Sequence, residues 1–223
     1  MSFIKGATAC FSGCMLKKAA SLSWAARFAT KANELNYFSL FPQTFPQGGP
    51  PESSFVVDNR NLKKEYRKLQ AANHPDLINK LNKSENEKGN TKHLSSSLIN
   101  AAYSTLNDPL KRSQYLLKTR AGIDLTSDAD AHKYEFADKE ILMQILDIHE
   151  GLENMKDDQE ADTARGENNA RMKASIDKLT TLYNKKPINY DGIALETIKL
   201  KYWYNIKNAL KQWQPGQPVN LTH

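Results

Sequence analysis

A chain of 223 residues with 39% apolar and 25% charged side chains has the make-up of an ordinary folded protein of one or two domains. No apolar run reaches the roughly 18–20 residues that a membrane span needs. Four of the six net positive charges sit before residue 35, where Lys5, Lys17, Lys18, Arg27 and Lys31 face the single acid Glu34. The body is therefore nearly neutral and lacks the basic excess of a nucleic-acid binder.

The head, residues 1–34, is basic, rich in Ala and Ser, and has an apolar side from Phe11, Leu16, Leu22, Trp24 and Phe28. This composition suits a mitochondrial transit peptide and predicts the mitochondrial matrix as destination, with Arg27-Phe28-Ala29 suiting a matrix-protease cut. A secretory signal built on Gly6 to Met15 and a plain disordered tail are the alternatives. Both cysteines, Cys10 and Cys14, lie in the head. The body then has no thiol for disulfides, nucleophilic catalysis or cluster ligation. No cofactor and no metal site are expected.

The next strong pattern runs from Leu62 to Asn73. Leu62, Tyr66 and Leu69 mark one apolar helix stripe, and Lys63, Lys64, Arg67 and Lys68 form a positive block on the remaining surface. Pro75 disfavours helix at His74, so His74-Pro75-Asp76 is expected on a loop at the helix end. A second helix is read over residues 98–106, where Ile99, Ala102, Tyr103 and Leu106 share a face. Asn107-Asp108-Pro109 closes it and opens a third helical segment to Lys118, with Pro in the favoured first turn.

Residues 122–137 are mostly polar and read as a linker. Three long helical patterns follow, at about residues 138–155, 170–184 and 190–213, with residues 156–168 read as a charged loop. They predict a three-helix bundle over residues 138–214. In the first of them Ile141, Ile145, Ile148, Leu152 and Met155 already make a full packing stripe. Leu142 and Leu146 are surplus to it: either the buried face is broad, or they form an exposed patch for a partner. The last helix has a core stripe of Leu195, Trp203, Ile206, Leu210 and Trp213, with Tyr202 at its edge and Tyr204 on the far side.

The basic helix, the His74-Pro75-Asp76 loop, the Ala102-Tyr103 helix, Asp108-Pro109, Arg112 and Tyr115 together resemble the J-domain of DnaJ-type co-chaperones. The short opening stretch Asn36-Tyr37-Phe38-Ser39-Leu40-Phe41 fits the same pattern. The resemblance implies a J-domain over residues 35–121. A J-domain followed by a three-helix bundle, with no Gly/Phe-rich region and no zinc-finger cysteines, is similar to the HscB family, and more narrowly to its fungal mitochondrial members. The stretches Asp108 to Leu117, Leu146 to Glu150 and Lys199 to Tyr204 carry that similarity. Departures are the long polar loop from Leu77 to His93, the stretch from Lys156 to Asn168, and Gly151 where an acid is expected.

What the resemblance implies is an all-α co-chaperone, not an enzyme, that stimulates the ATPase of a mitochondrial DnaK-type chaperone and delivers to it the scaffold protein on which iron-sulfur clusters are built. The implied chaperone-binding residues are His74, Pro75, Asp76, Lys63, Lys64, Arg67 and Lys68. The implied scaffold-binding residues are Leu142, Leu146 and Tyr202, with Ile141 and Asp147 beside them. A J-protein of another mitochondrial pathway, such as the import motor, is the rival reading. An enzyme would need a phosphate loop, H-E-x-x-H or G-x-S-x-G, and the sequence has none of these.

Overall fold

Every regular element among the described residues, 36–73, 94–135 and 138–215, is helical in this computed structural model. A 3-10 turn, Tyr37–Leu40, precedes α1 (Asn59–Ala72), α2 (Ser96–Asn107) and α3 (Pro109–Leu116), which runs on as a π-helical turn, Leu117–Ala121. Then come α4 (Asp128–Glu135), α5 (Lys139–Glu153), α6 (Asp158–Asn184) and α7 (Tyr190–Gln212).

α1 starts where Asp58 accepts the amides of Arg60 and Asn61, and its Leu62 stripe faces Ile99, Ala102 and Leu106 of α2. Tyr66 stacks on Tyr103 at 4.1 Å between ring centres and donates its hydroxyl to Asn100 Oδ1. The segment before α1 is an aromatic plug, with Phe38, Phe41, Phe45 and Phe55 all buried. Gly49 belongs to it by close approach: a Cβ there would lie 2.6 Å from the Phe38 ring. Asp108 ends α2 and caps α3 through Leu110 N and Lys111 N, as the Asp-Pro pair predicts.

Residues from Tyr37 onward form one compact unit, because α3 packs on α7. At that junction the Ser113 hydroxyl lies 2.7 Å from Thr197 Oγ1 and 3.1 Å from the Tyr183 hydroxyl, while Tyr183 stacks on Phe55 at 4.9 Å. Burial pushes the Tyr183 hydroxyl well above its ordinary range, so it stays a neutral hydrogen-bonding group.

Two expectations need correction. The residues read as a linker contain α4, which buries Ala131 and Tyr134 against α7 and fixes Tyr134 by a 2.6 Å bond to Asp191. Of the expected charged loop at 156–168, all but the first two residues form the start of the 27-residue α6. Asp157 accepts Glu160 N, and Glu160 reaches back to Lys156 N, closing the first turn. The buried side of this stretch carries Ala161 and Asn168 instead of large aliphatics. Asn168 Nδ2 donates to Trp203 O, and Trp203 Nε1 donates to Ser175, so polar pairs replace the apolar stripe that periodicity seeks.

α7 is the central helix. It buries Ile193, Ala194, Ile198, Leu200, Trp203, Ile206, Ala209 and Leu210, far more of its circumference than one stripe, because α3, α4, α5 and α6 all pack on it. Leu195, expected in the core, is only half-buried, whereas Tyr204, expected on the far side, is half-buried beside Asp108 and Arg112.

Candidate functional site

The first candidate surface is the outer face of α1. Its one acid, Glu65, points inward and is 6% exposed. The carboxylate accepts Gln43 N at 2.9 Å, Thr44 N at 2.9 Å and Thr44 Oγ1 at 2.8 Å, pinning the turn before the helix. With the acid withdrawn, what remains outside is purely cationic: Lys63, Lys64, Arg67 and Lys68 are exposed and, with Arg60, line one shallow depression. Arg60 is absent from the residues singled out by sequence, because the apolar stripe starts the helix at Leu62. The N-cap signal at Asp58 is what would have extended it.

His74, Pro75 and Asp76 lie outside the described residues. Their setting is nevertheless defined on both sides. Asn73 ends α1, its Nδ2 donates to Leu69 O at 2.9 Å, and its Oδ1 accepts Leu94 N at 3.1 Å. One side chain thus ties the end of α1 to the residues leading into α2.

Arg112, matched to the J-domain pattern by sequence, is buried rather than displayed. Its Nε donates to Leu106 O at 2.8 Å, its guanidinium to Phe55 O, and it sits over the Phe55 ring at 5.0 Å. Burial lowers its pKa to about 10, with Asp108 opposing, so it remains charged at neutral pH. Tyr115 stacks on Tyr37 at 4.6 Å and its hydroxyl accepts Tyr37 N. Both residues build the hairpin rather than a partner surface.

The second candidate surface is α5. Ile145 and Leu152 are core, and Leu146 stands in solvent at 65% exposure. The neighbouring Met143, missed by sequence because it fits neither stripe, is 67% exposed. Leu142 is half-buried and Asp147 is exposed. Ile141, placed in the packing stripe by periodicity and beside the scaffold-binding residues by resemblance, is core at 8% exposure, one turn before Ile145 on the packed face, and so is not part of the exposed surface. The exposed apolar patch is therefore Leu146 and Met143, with Leu142 at its buried edge.

Tyr202 is half-buried on α7, and burial, with Glu135 nearby, raises its hydroxyl pKa. Lys199, one turn earlier on that helix, bonds the α5 N-cap Asp138 at 2.9 Å, and Lys201 bonds Glu135 at 2.9 Å. The first pair holds the start of α5, and the second the end of α4, against the turn of α7 that carries Tyr202. Among the described residues no cluster of His, Cys, Asp or Glu is arranged to hold a metal ion, and no helix is long and apolar enough to cross a membrane.

Comparison with known proteins gives two family matches. One, described as the DnaJ domain, covers residues 54–115, and one, described as the HSCB C-terminal oligomerisation domain, covers residues 137–211. The chain is 37% identical over 187 residues to the mitochondrial J-type co-chaperone Jac1 of Saccharomyces cerevisiae, covering 84% of this chain and 93% of that one. It is 31% identical to the iron-sulfur cluster co-chaperone HscB of Mus musculus, over 71% of this chain and 63% of that protein. Among solved structures, Jac1 from Saccharomyces cerevisiae superposes with a TM-score of 0.68 at 34% identity, covering 84% of this chain and 99% of that one. Human HscB superposes with a TM-score of 0.61 at 27% identity, over 80% of this chain and 82% of that one.

Proposed function

Because this chain belongs to the HscB family of J-type co-chaperones of iron-sulfur cluster assembly, we propose that it is a two-ended adaptor. One end stimulates the ATPase of a mitochondrial DnaK-type chaperone, and the other brings it the iron-sulfur scaffold protein. The observation that carries this reading is the acid-free outer face of α1, formed because Glu65 is turned inward, in one compact unit with the exposed Leu146 patch of α5.

At the chaperone end, Lys63, Lys64, Arg67 and Lys68 steer an acidic surface into register, which raises encounter rate and fixes orientation. His74, Pro75 and Asp76 then make the contact that biases the chaperone toward its hydrolysing state. At the other end Leu142 and Leu146 supply an apolar hot spot, with Tyr202 and Asp147 beside it. Joining client and chaperone raises the effective concentration of one at the other without new chemistry. The chain acts on its partners by binding and has no catalytic residue of its own. Residues 1–34 serve as the transit peptide to the matrix, residues 35–121 as the J-domain and residues 138–214 as the scaffold-binding domain.

The test is a titration of purified chain into the scaffold protein by calorimetry, alongside chaperone ATPase assays. Asp76→Asn should abolish ATPase stimulation and leave scaffold binding intact. The double substitution Leu142→Ala, Leu146→Ala should do the reverse. Absence of scaffold binding by the unaltered chain would remove the client assignment.

A further inference from the structure

α5 and α6 both lean on α7 but diverge from each other, leaving a groove of about 490 Å³ between them. Its floor is apolar: Ile148 and Leu152 from α5, Met155 just past the end of that helix, Ala164 from α6, and Ile206 and Leu210 from α7. Its rim carries Asp147, Glu160 and Glu167, the last paired with Arg171 at 3.2 Å. Between residues 140 and 163 every Lys, Arg, Asp or Glu except Lys156 is an acid. In a chain of net charge +6 this is a concentrated negative field around a floor whose accessible apolar atoms come from Ile148, Met155 and Ala164, over the buried Leu152, Ile206 and Leu210.

The groove is not the Leu142–Leu146 patch. At about 100° per residue, Leu142 and Leu146 flank one side of the buried stripe Ile141, Ile145 and Leu152, whereas Gln144, Ile148 and Gly151 flank the other. The two surfaces lie on opposite shoulders of the same helix, with Met143, Asp147 and Glu150 on the outer face between them.

We propose that this groove is a second docking site, which takes a cationic amphipathic helix from a partner protein. The floor is walled by two helices and closed below by a third, the geometry into which a further helix packs with its i, i+3, i+4 and i+7 side chains inward. α5 has 15 residues, so the wall is about 22 Å long, four turns of a guest helix. The acidic rim selects the guest's charge. Lys or Arg beside the apolar stripe meets Asp147, Glu160 and Glu167, whereas a fatty acid or an anionic lipid surface is repelled.

The probe is a synthetic helical peptide of about 15 residues, matching the wall, with a Leu stripe flanked by lysines. Its controls are the twin with every Lys replaced by Glu and an isomer with the stripe scrambled. Binding to the full chain is followed by fluorescence anisotropy at low and high salt. Two single substitutions on α6 test the site without touching the α5 patch. Thr163→Trp fills the groove from an exposed position, and Glu167→Lys reverses rim charge. Each should weaken the lysine peptide about tenfold or more, the size expected when an anchor pocket is blocked. Salt should weaken it further, and the Glu twin should not bind.

The Leu142→Ala, Leu146→Ala chain should bind the peptide as the unaltered chain does, and both α6 variants should bind the iron-sulfur scaffold normally. Failure of the scaffold titration therefore leaves this result standing, and the reverse holds too. Equal binding of both charge twins, or binding indifferent to both α6 substitutions, overturns the proposal. So does a concentration-dependent dimer in sedimentation that Thr163→Trp abolishes, because the groove would then be covered by a second copy. If Thr163→Trp fails to fold, Glu167→Lys decides alone.

Discussion

Glu65 shows how one side chain can shape a surface it does not occupy. Its carboxylate is consumed by two backbone amides and a hydroxyl of residues 43–44, so the helix that carries it presents only positive charge outward. Glu65→Ala should cost about 2–3 kcal/mol, because three donors lose a charged acceptor in a closed site. Urea unfolding measures this, and a loss under about 0.5 kcal/mol would mean that the turn is held by its aromatics alone. Two other carboxylates set the acid limb of stability. Asp124 is held at about 2, chiefly by the hydrogen bonds from Lys118 and Thr126, and Asp138 is lowered chiefly by Lys199. A carboxylate depressed in the folded state contributes stability above the ordinary value near 4 and loses it as pH falls. The melting temperature should therefore decline between about pH 4 and 2, and Asp124→Asn should flatten that slope. Both groups are solvent-accessible, so the effect is small, and an unchanged slope in the variant would show that solvent screens the pair completely.

At the scale of elements, α5 does two jobs with one helix. Its packed stripe was legible in the sequence, as was the surplus of Leu146. Periodicity places Ile141 in that packed stripe, where it is buried; only the resemblance sets it beside the scaffold-binding residues. Met143 was missed because a single apolar residue on a polar face carries no periodic signal. Gly151 lies in the same helix, and a Cβ there meets nothing within 4 Å. Gly151→Ala should therefore stabilise the chain by about 0.5–1 kcal/mol, by removing backbone entropy from the unfolded state. Chemical denaturation reads it, and destabilisation would mean that the groove wall is tighter than its geometry. α6 failed as a sequence reading for the opposite reason. Its first three turns hide Ala161 and Asn168, residues too small or too polar to register as a core face, and their partners come from α7.

For the whole molecule, the joint between α3 and α7 decides whether two family domains behave as one body. Phe55 and Ser113 come from the N-terminal half, Tyr183 and Thr197 from the C-terminal half, and all four meet in one buried cluster. Calorimetry should show one cooperative unfolding transition. Tyr183→Ala should cost about 3–5 kcal/mol, the usual loss for a large buried aromatic, and separate the transition into two. A single transition at reduced temperature would instead mean that the remaining contacts of α3 and the π-helical turn with α7 suffice to couple the halves. The sequence by itself determined the helical class, the J-type hairpin, its junction at Asp108-Pro109 and the three-helix C-terminal half, because periodicity, caps and proline act over a few neighbouring residues. Only the tertiary structure decided that Glu65 and Arg112 turn inward, that residues 128–135 form a bracing helix, that α7 is buried on nearly all sides, and that α5 and α6 part to leave an acidic-rimmed groove. Each of those depends on which distant surface meets a side chain, and that pairing is set by packing across the chain, beyond the reach of local pattern.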